Sequence, residues 1–240
     1  MSKKKEVRPI IKERSPFPRK SDFFTAISVD CVIFGLDRES LKVLLIKSDF
    51  PLYEGKWSLL GDLIAKDEDI NQAADRVLYE RTGLQNLYLE QVMSFGEVKR
   101  HPSGRVVSIA YYTLVNIDQI NLLKKDHELH WHKIDQVGEM AFDHNKILNI
   151  CLSRLQERIK SEPIGFNLLP QKFSLRELQL LYESVLMVEL DRRNFRKKML
   201  SNGLLIDLKE LEDDVPHRPA KLFSFNRQKY DLTEIKGKFI

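Results

Sequence analysis

The feature that most constrains this chain is a change of pattern around Pro163. Ahead of it, β-branched and apolar blocks recur in pairs. Residues 24–34 and 41–47 flank the turn-like 35–40, residues 88–98 and 106–117 flank the turn-like 99–104, and a last short block covers 128–134. A helix over 70–82 stands between the two pairs, with Gly83 placed to close it. A long helix is predicted after Asp143, where Ile147, Cys151, Leu155 and Ile159 recur at four-residue spacing. Past Pro163 the pattern becomes helix, short turn, helix, then two short strands. Ser174-Leu175-Arg176-Glu177 is a capping box, Asp191 can cap a second helix that Gly203 ends, and residues 204–208 and 222–225 read as strands around a polar loop. Strand pairs and a helix-turn-helix bury their apolar faces differently, so the chain is predicted to form two units. Their expected bounds are 22–162 and 163–240, behind a basic flexible arm over 1–21.

Composition agrees with two small cores in a chain of 240 residues, 42% of them hydrophobic. No apolar run approaches the ~18 residues that a membrane span needs, and no apolar segment follows the basic N-terminus as in a secretory signal. The two cysteines, Cys31 and Cys151, lie in apolar stretches and are expected to be buried free thiols in a cytoplasmic protein. The net charge of +4 is unevenly spread: residues 1–20 hold eight basic side chains, and 192–198 read Arg-Arg-Asn-Phe-Arg-Lys-Lys. Such asymmetry points to a polyanionic partner at particular surfaces.

The stretch 57–84, WSLLGDLIAKDEDINQAADRVLYERTGL, resembles the Nudix box, a glycine turn and a glutamate ahead of a carboxylate-bearing helix. Gly61, Glu68, Arg76, Leu78, Glu80, Gly83 and Leu84 match it, whereas Asp62, Val77 and Arg81 stand where the pattern has a glycine and two glutamates. The resemblance implies a fold whose helical carboxylates hold magnesium, a hard ion that wants oxygen ligands. Positions 77, 80 and 81 are neighbours on a helix, and here only Glu80 offers a carboxylate. A permanent cation at ~5 Å and effective dielectric ~20 opposes a second positive charge by roughly 3 kcal/mol. The box is therefore expected to be catalytically inactive, needing neither metal nor cofactor. The alternative is an active Nudix hydrolase of a nucleoside-diphosphate-linked substrate.

The C-terminal runs EPIGFNLLPQKFSLRELQLLYESVL, DRRNFRKK and HRPAKLFSF are similar to those of Nudix-related transcriptional regulators, closest to their sugar-responsive branch, which includes arabinose-responsive repressors of Bacteroidetes-type bacteria. That resemblance implies an α+β protein, a Nudix-type α/β/α sandwich with a mixed sheet followed by a winged helix-turn-helix. It implies a homodimeric repressor of double-stranded operator DNA, cytoplasmic and on the nucleoid when bound, released by a sugar such as arabinose or by an ADP-ribose-type nucleotide. A third possibility is a sugar sensor whose winged helix binds protein.

The residues suggest who makes these contacts. Arg192, Arg193 and Asn194 fall in the first turn after Asp191, where a recognition helix reaches base edges; Arg196 and Lys197 continue the exposed side, and Arg218 and Lys221 lie in the wing. Five cations in 192–198, with no acid before Ser201, favour DNA over a solvated helix face. For the effector, Ser28 and Asp30 share a strand face, Asp62 replaces a cleft glycine, and Arg105 enters the strand that begins at Val106, with Glu97 behind it. His130 and His132 share a strand face but lack a third ligand, and Asp143-His144 is expected to be a helix cap.

Overall fold

A computed structural model describes residues 25–37, 40–122, 129–213 and 218–232; the basic arm and His217 lie outside the described residues. The first unit is built on a mixed seven-stranded sheet. Its main path runs β3 (Trp57–Ser58), β2 (Leu41–Lys47), β1 (Ala26–Leu36), β6 (Val106–Asn116), β5 (Glu90–Phe95), with β4 (Leu60–Leu63) against β1 and β7 (His130–Lys133) against β2. β1 and β6 are parallel over their whole lengths, from Ala26 opposite Val106 to Leu36 opposite Asn116. From Val29 onward β1 is buried on both faces, which explains its nearly unbroken apolar run. Successive side chains alternate between layers. Val29, Cys31 and Ile33 meet Ala73, Ala74, Val77 and Leu78 of α1 (Ile70–Thr82), whereas Val32 and Phe34 join Ile147, Leu148 and Cys151 of α2 (His144–Ser161). The α/β/α sandwich thus follows from the pleat of one strand.

Three local expectations change. The first hairpin was expected to turn at Gly35, but β1 continues through it to Leu36. Gly35 is a glycine because the Trp131 ring occupies the place of a side chain: a Cβ there would lie 2.4 Å from the ring. β5 and β7 are shorter than the blocks 88–98 and 128–134. The short strands β3 and β4 were not foreseen.

α2 is fastened to the sheet edge by Glu90, which accepts hydrogen bonds from Tyr112 Oη at 2.8 Å and Arg154 Nε at 3.0 Å and also pairs with Arg158. Beyond Glu162 a short 3-10 turn, Ile164–Leu168, leads into the second unit. There α3 (Leu175–Leu186) and α4 (Arg192–Ser201) pack on a small sheet of β8 (Phe173–Ser174), β10 (Lys221–Phe225) and β9 (Leu205–Leu211), with α5 (Arg227–Leu232) behind. β8 and α5 are additions to the expected winged helix, and β9 is longer than predicted. One apolar cluster runs through both units: Leu155 and Ile159 of α2, Phe166 and Leu168 of the turn, and Leu178, Leu181 and Val185 of α3. Gly165 permits the approach, since a Cβ there would lie 2.7 Å from Leu181 Cδ2. Gln156 Nε2 donates to the Val185 carbonyl at 3.0 Å, and Asn116 Nδ2 to that of Leu168 at 2.6 Å. Among the described residues no helix is long and apolar enough to cross a membrane.

Candidate ligand cleft and nucleic-acid interface

A cleft of about 350 Å³ opens beside β1 and β4, lined by Ser28, Asp30 and Asp62 among others. Pairing places Gly61 opposite Asp30, so close that a Cβ on Gly61 would lie 2.3 Å from Asp30 Oδ1 and 2.8 Å from the Val29 carbonyl. Glycine is therefore required there for packing. Asp30 is buried. It accepts a hydrogen bond from the Ser108 hydroxyl, with Arg100 Nη2 at 3.7 Å and His144 Nε2 at 3.5 Å.

Arg100, its side chain 3% exposed, grips Asp143 with Nη2 at 2.6 Å and Nε at 3.0 Å. Asp143 sits in the N-cap position of α2 but does not cap it, contrary to expectation: its carboxylate is turned to Arg100 instead. His144 Nδ1 accepts the Leu59 amide at 3.0 Å and lies 3.1 Å from Ser58 Oγ. An amide can only donate, so the neutral ring carries its proton on Nε2, facing Asp30. Burial holds the His144 pKa below its usual value, against the pull of Asp30 and Asp143. Asp30, Arg100 and His144 thus form a buried floor, with Asp143 holding Arg100 from behind, and they come from β1, a loop and the start of α2.

The rim is aromatic. Phe142, held at φ 51° in the left-handed region, stacks on His101 with centroids 5.0 Å apart and meets Phe50 at 5.5 Å. Lys47 and Arg81 also line the cleft; Lys47 Nζ lies over the Trp57 ring and donates to the Gly55 carbonyl at 2.7 Å. Glu97 and Arg105, proposed from sequence as ligand contacts, are not among the lining residues. Glu97 pairs with Lys146, and the Arg105 guanidinium donates to the Gly96 carbonyl, so local partners draw both away. Arg100, His101, Phe142 and His144 were missed. Their signal, polar and aromatic residues far apart in sequence, becomes a site only through the fold.

The box residues converge on Arg76. Its Nη2 lies 2.8 Å from Glu68 and its Nη1 lies 3.2 Å from Glu80 and 3.5 Å from Asp62, while Nη2 also donates to the Leu63 carbonyl at 2.9 Å. The Arg76 hydrogen bond, helped by the Ala65 amide, lowers the Glu68 pKa to about 2. Val77 departs from the expected shared face: it is 1% exposed and packs against the sheet, whereas Glu80 remains at the surface. Among the described residues no group of three or more His, Cys, Asp or Glu side chains is placed to hold a metal ion. His130 and His132 instead pack on Trp57, with centroids at 5.3 and 4.4 Å.

In the second unit, Ser174 and Glu177 form the predicted capping box. The connection to α4 turns at Met187 (φ 56°) and is tied by Glu183, which accepts the Leu190 amide at 2.9 Å, and by Gln179, which donates to the Leu190 carbonyl at 2.8 Å. Asp191 caps α4 by accepting the Asn194 amide at 2.8 Å. Phe195 and Met199 anchor α4, leaving Arg192, Arg193, Asn194, Arg196 and Lys197 exposed. The wing carries Lys221, 3.5 Å from Asp207, and Arg218 ahead of β10. Arg176, exposed at the start of α3, is a further cation on this side that the sequence reading did not single out.

Comparison with known proteins agrees with both halves. Residues 25–150 match the NUDIX domain family, and residues 165–225 match the NrtR DNA-binding winged helix domain family. The chain is 34% identical, over 89% of its length and 88% of the other's, to the ADPR responsive transcriptional repressor NtrR of Acinetobacter baylyi. It is similar to the crystal structure of Shewanella oneidensis NrtR, at 28% identity and TM-score 0.69, covering 83% of this chain and 93% of that one; with a 27mer DNA bound to that protein the TM-score is 0.67. The NUDIX domain of the same protein complexed with ADP ribose is 27% identical, covering 58% of this chain and 94% of that one, with TM-score 0.52.

Proposed function

The chain belongs to the Nudix proteins that carry an NrtR-type winged helix, and from that premise we propose that it is a DNA-binding transcriptional repressor whose Nudix domain binds ADP-ribose instead of hydrolysing it. The observation that carries this reading is α4. Phe195 and Met199 fix one side of it, and the other side presents cations and an asparagine in the geometry of a helix that enters the major groove. Operator DNA is then the macromolecular partner, read by a homodimer whose two winged helices supply two half-sites.

The sugar effector expected from sequence gives way to ADP-ribose because the relatives are described by that ligand. The cleft chemistry suits both, which is why the residues alone did not separate them. Asp30, Ser28 and His144 can bond ribose hydroxyls, as they could those of a free pentose. The nucleotide additionally uses the stacked Phe142–His101 rim for its base, and Lys47 and Arg81 for its diphosphate. Hydrolysis is not expected, because Asp62, Glu68 and Glu80 all face Arg76 and Val77 is buried.

The test selects a binding site from a random duplex pool and titrates ADP-ribose, arabinose and AMP against the complex. ADP-ribose should release the DNA, and at a hundredfold excess over its Kd should stabilise the protein by about 2.7 kcal/mol. Failure to enrich any sequence, or magnesium-dependent cleavage of ADP-ribose at about 1 per second, would overturn the reading. Release by arabinose alone would restore the sugar effector.

A further inference from the structure

α3, α4 and the wing enclose a second hollow of about 390 Å³, with Arg176, Arg192, Arg196, Arg218 and Lys221 among its lining residues and no Asp or Glu among the described residues that line it. The cations come from three separate elements: Arg176 from the first turn of α3, Arg192 and Arg196 from one edge of α4, and Arg218 and Lys221 from the wing. Lys221 has Asp207 at 3.5 Å, from outside the lining set. The floor between them is apolar, formed by Leu175, Phe195 and Phe223. Such a floor offers no counter-charge, while guanidinium forks match phosphate oxygens two at a time.

Helix geometry separates this edge of α4 from its outward face. Positions 192 and 196 are four apart and share an edge, as do 193 and 197. At 100° per residue, 193 and 197 lie opposite Phe195 and Met199, with Asn194 beside them, whereas 192 and 196 lie next to the buried side and line the hollow.

We propose that the hollow seats one backbone phosphate of the DNA, held by Arg176, Arg192 and Arg196 with the wing cations closing the far wall, and that base reading falls to Arg193, Asn194 and Lys197. This divides the cations that the sequence grouped together: Arg192 and Arg196 position the duplex, and Arg176, outside the recognition helix, belongs to the interface. The proposal rests on the DNA-binding reading above.

Three single variants, Arg176→Gln, Arg196→Gln and Arg193→Gln, are titrated by fluorescence anisotropy against the selected duplex and a scrambled one, from 50 to 300 mM salt. Circular dichroism of each variant confirms that the winged helix is folded. Arg176→Gln and Arg196→Gln should weaken both duplexes by the same factor, leave their ratio unchanged, and each flatten the slope of log affinity against log salt by less than one per subunit, since the one seated phosphate accounts for about 0.9 in all. Arg193→Gln should cut the ratio about tenfold or more. Ethylation of the seated phosphate should weaken the parent, and weaken Arg176→Gln by a smaller factor. If Arg176→Gln binds both duplexes with the parent's affinity and slope while Arg193→Gln loses discrimination, the seat is wrong and the DNA reading stands. If no variant changes anything, both fail. A ratio that collapses in Arg176→Gln makes that residue a base reader and also overturns the division.

Discussion

Replacing Arg100 by leucine removes the one cation at the floor of the cleft. Its guanidinium is almost completely buried, joined to Asp143 by two hydrogen bonds of 2.6 and 3.0 Å, and 3.7 Å from Asp30. Leucine would fill part of the volume but leave both carboxylates without counter-charge. Deleting one partner of a buried ion pair costs about 3–5 kcal/mol, because the remaining charge stays desolvated. The Asp143 side chain is 19% exposed and can recover some hydration, so the lower end, about 3 kcal/mol, is expected. For a chain of this size that corresponds to a fall in Tm of roughly 6–12 °C. Urea denaturation followed by circular dichroism measures it. Arg100→Lys should lose less, keeping the charge but not the fork. Adding Asp143→Asn to Arg100→Leu should cost less than the two separate losses combined, since the second change relieves the first. A loss under about 1 kcal/mol for Arg100→Leu would mean that water reaches Asp30 and Asp143, and the desolvated floor would have to be abandoned.

Other consequences can be measured separately. Burial holds His101, His132 and His144 below their usual pKa values, so the unfolded chain binds more protons below about pH 6.5. Stability should therefore fall from pH 7 to pH 5, and His144→Gln should flatten that slope, by at most one proton; an unchanged slope would mean the ring is already charged. Glu68, lowered to about 2 by Arg76, contributes stability above the usual carboxylate range that is lost as pH falls toward 2. Arg76→Met should move its titration, followed by NMR, back up toward about 4.3, and no movement would refute the pairing. Burial also raises the thiol pKa values, that of Cys151 to about 12, so both thiols should resist a disulfide reagent until the protein unfolds; rapid labelling of the native protein would contradict the packing.

The layered fold was legible because each layer leaves a local trace. β1 is apolar at nearly every position since both its faces are covered, α2 repeats every four residues, and Ser174 with Glu177 announces α3. β3, β4 and β8, two to four residues each, carry too few residues for a period to show. Asp30 and Asp62 were legible in the cleft as charges where apolar or glycine residues are usual. Arg100 and His144 were not, because their role depends on β1, a loop and α2 meeting, and that is tertiary information. Glu97 and Arg105 misled for a related reason: their place beside the strand was right, but Lys146 and the Gly96 carbonyl decide where their side chains point. Arg176 was hidden inside the capping box, where attention goes to the serine and the glutamate.

The apolar cluster shared by α2, the 164–168 turn and α3 limits how such a protein can be taken apart or recombined. A cut at Pro163 would seem natural in a diagram of two modules, yet it exposes Leu178, Leu181 and Val185 on one piece and Leu155 and Ile159 on the other. A transplant that grafts residues 163–240 onto a different sensor must bring along, or rebuild, the outer side of α2. The exchangeable part is therefore the winged helix together with the helix it leans on, and any chimera joined at the linker alone begins with a sticky surface.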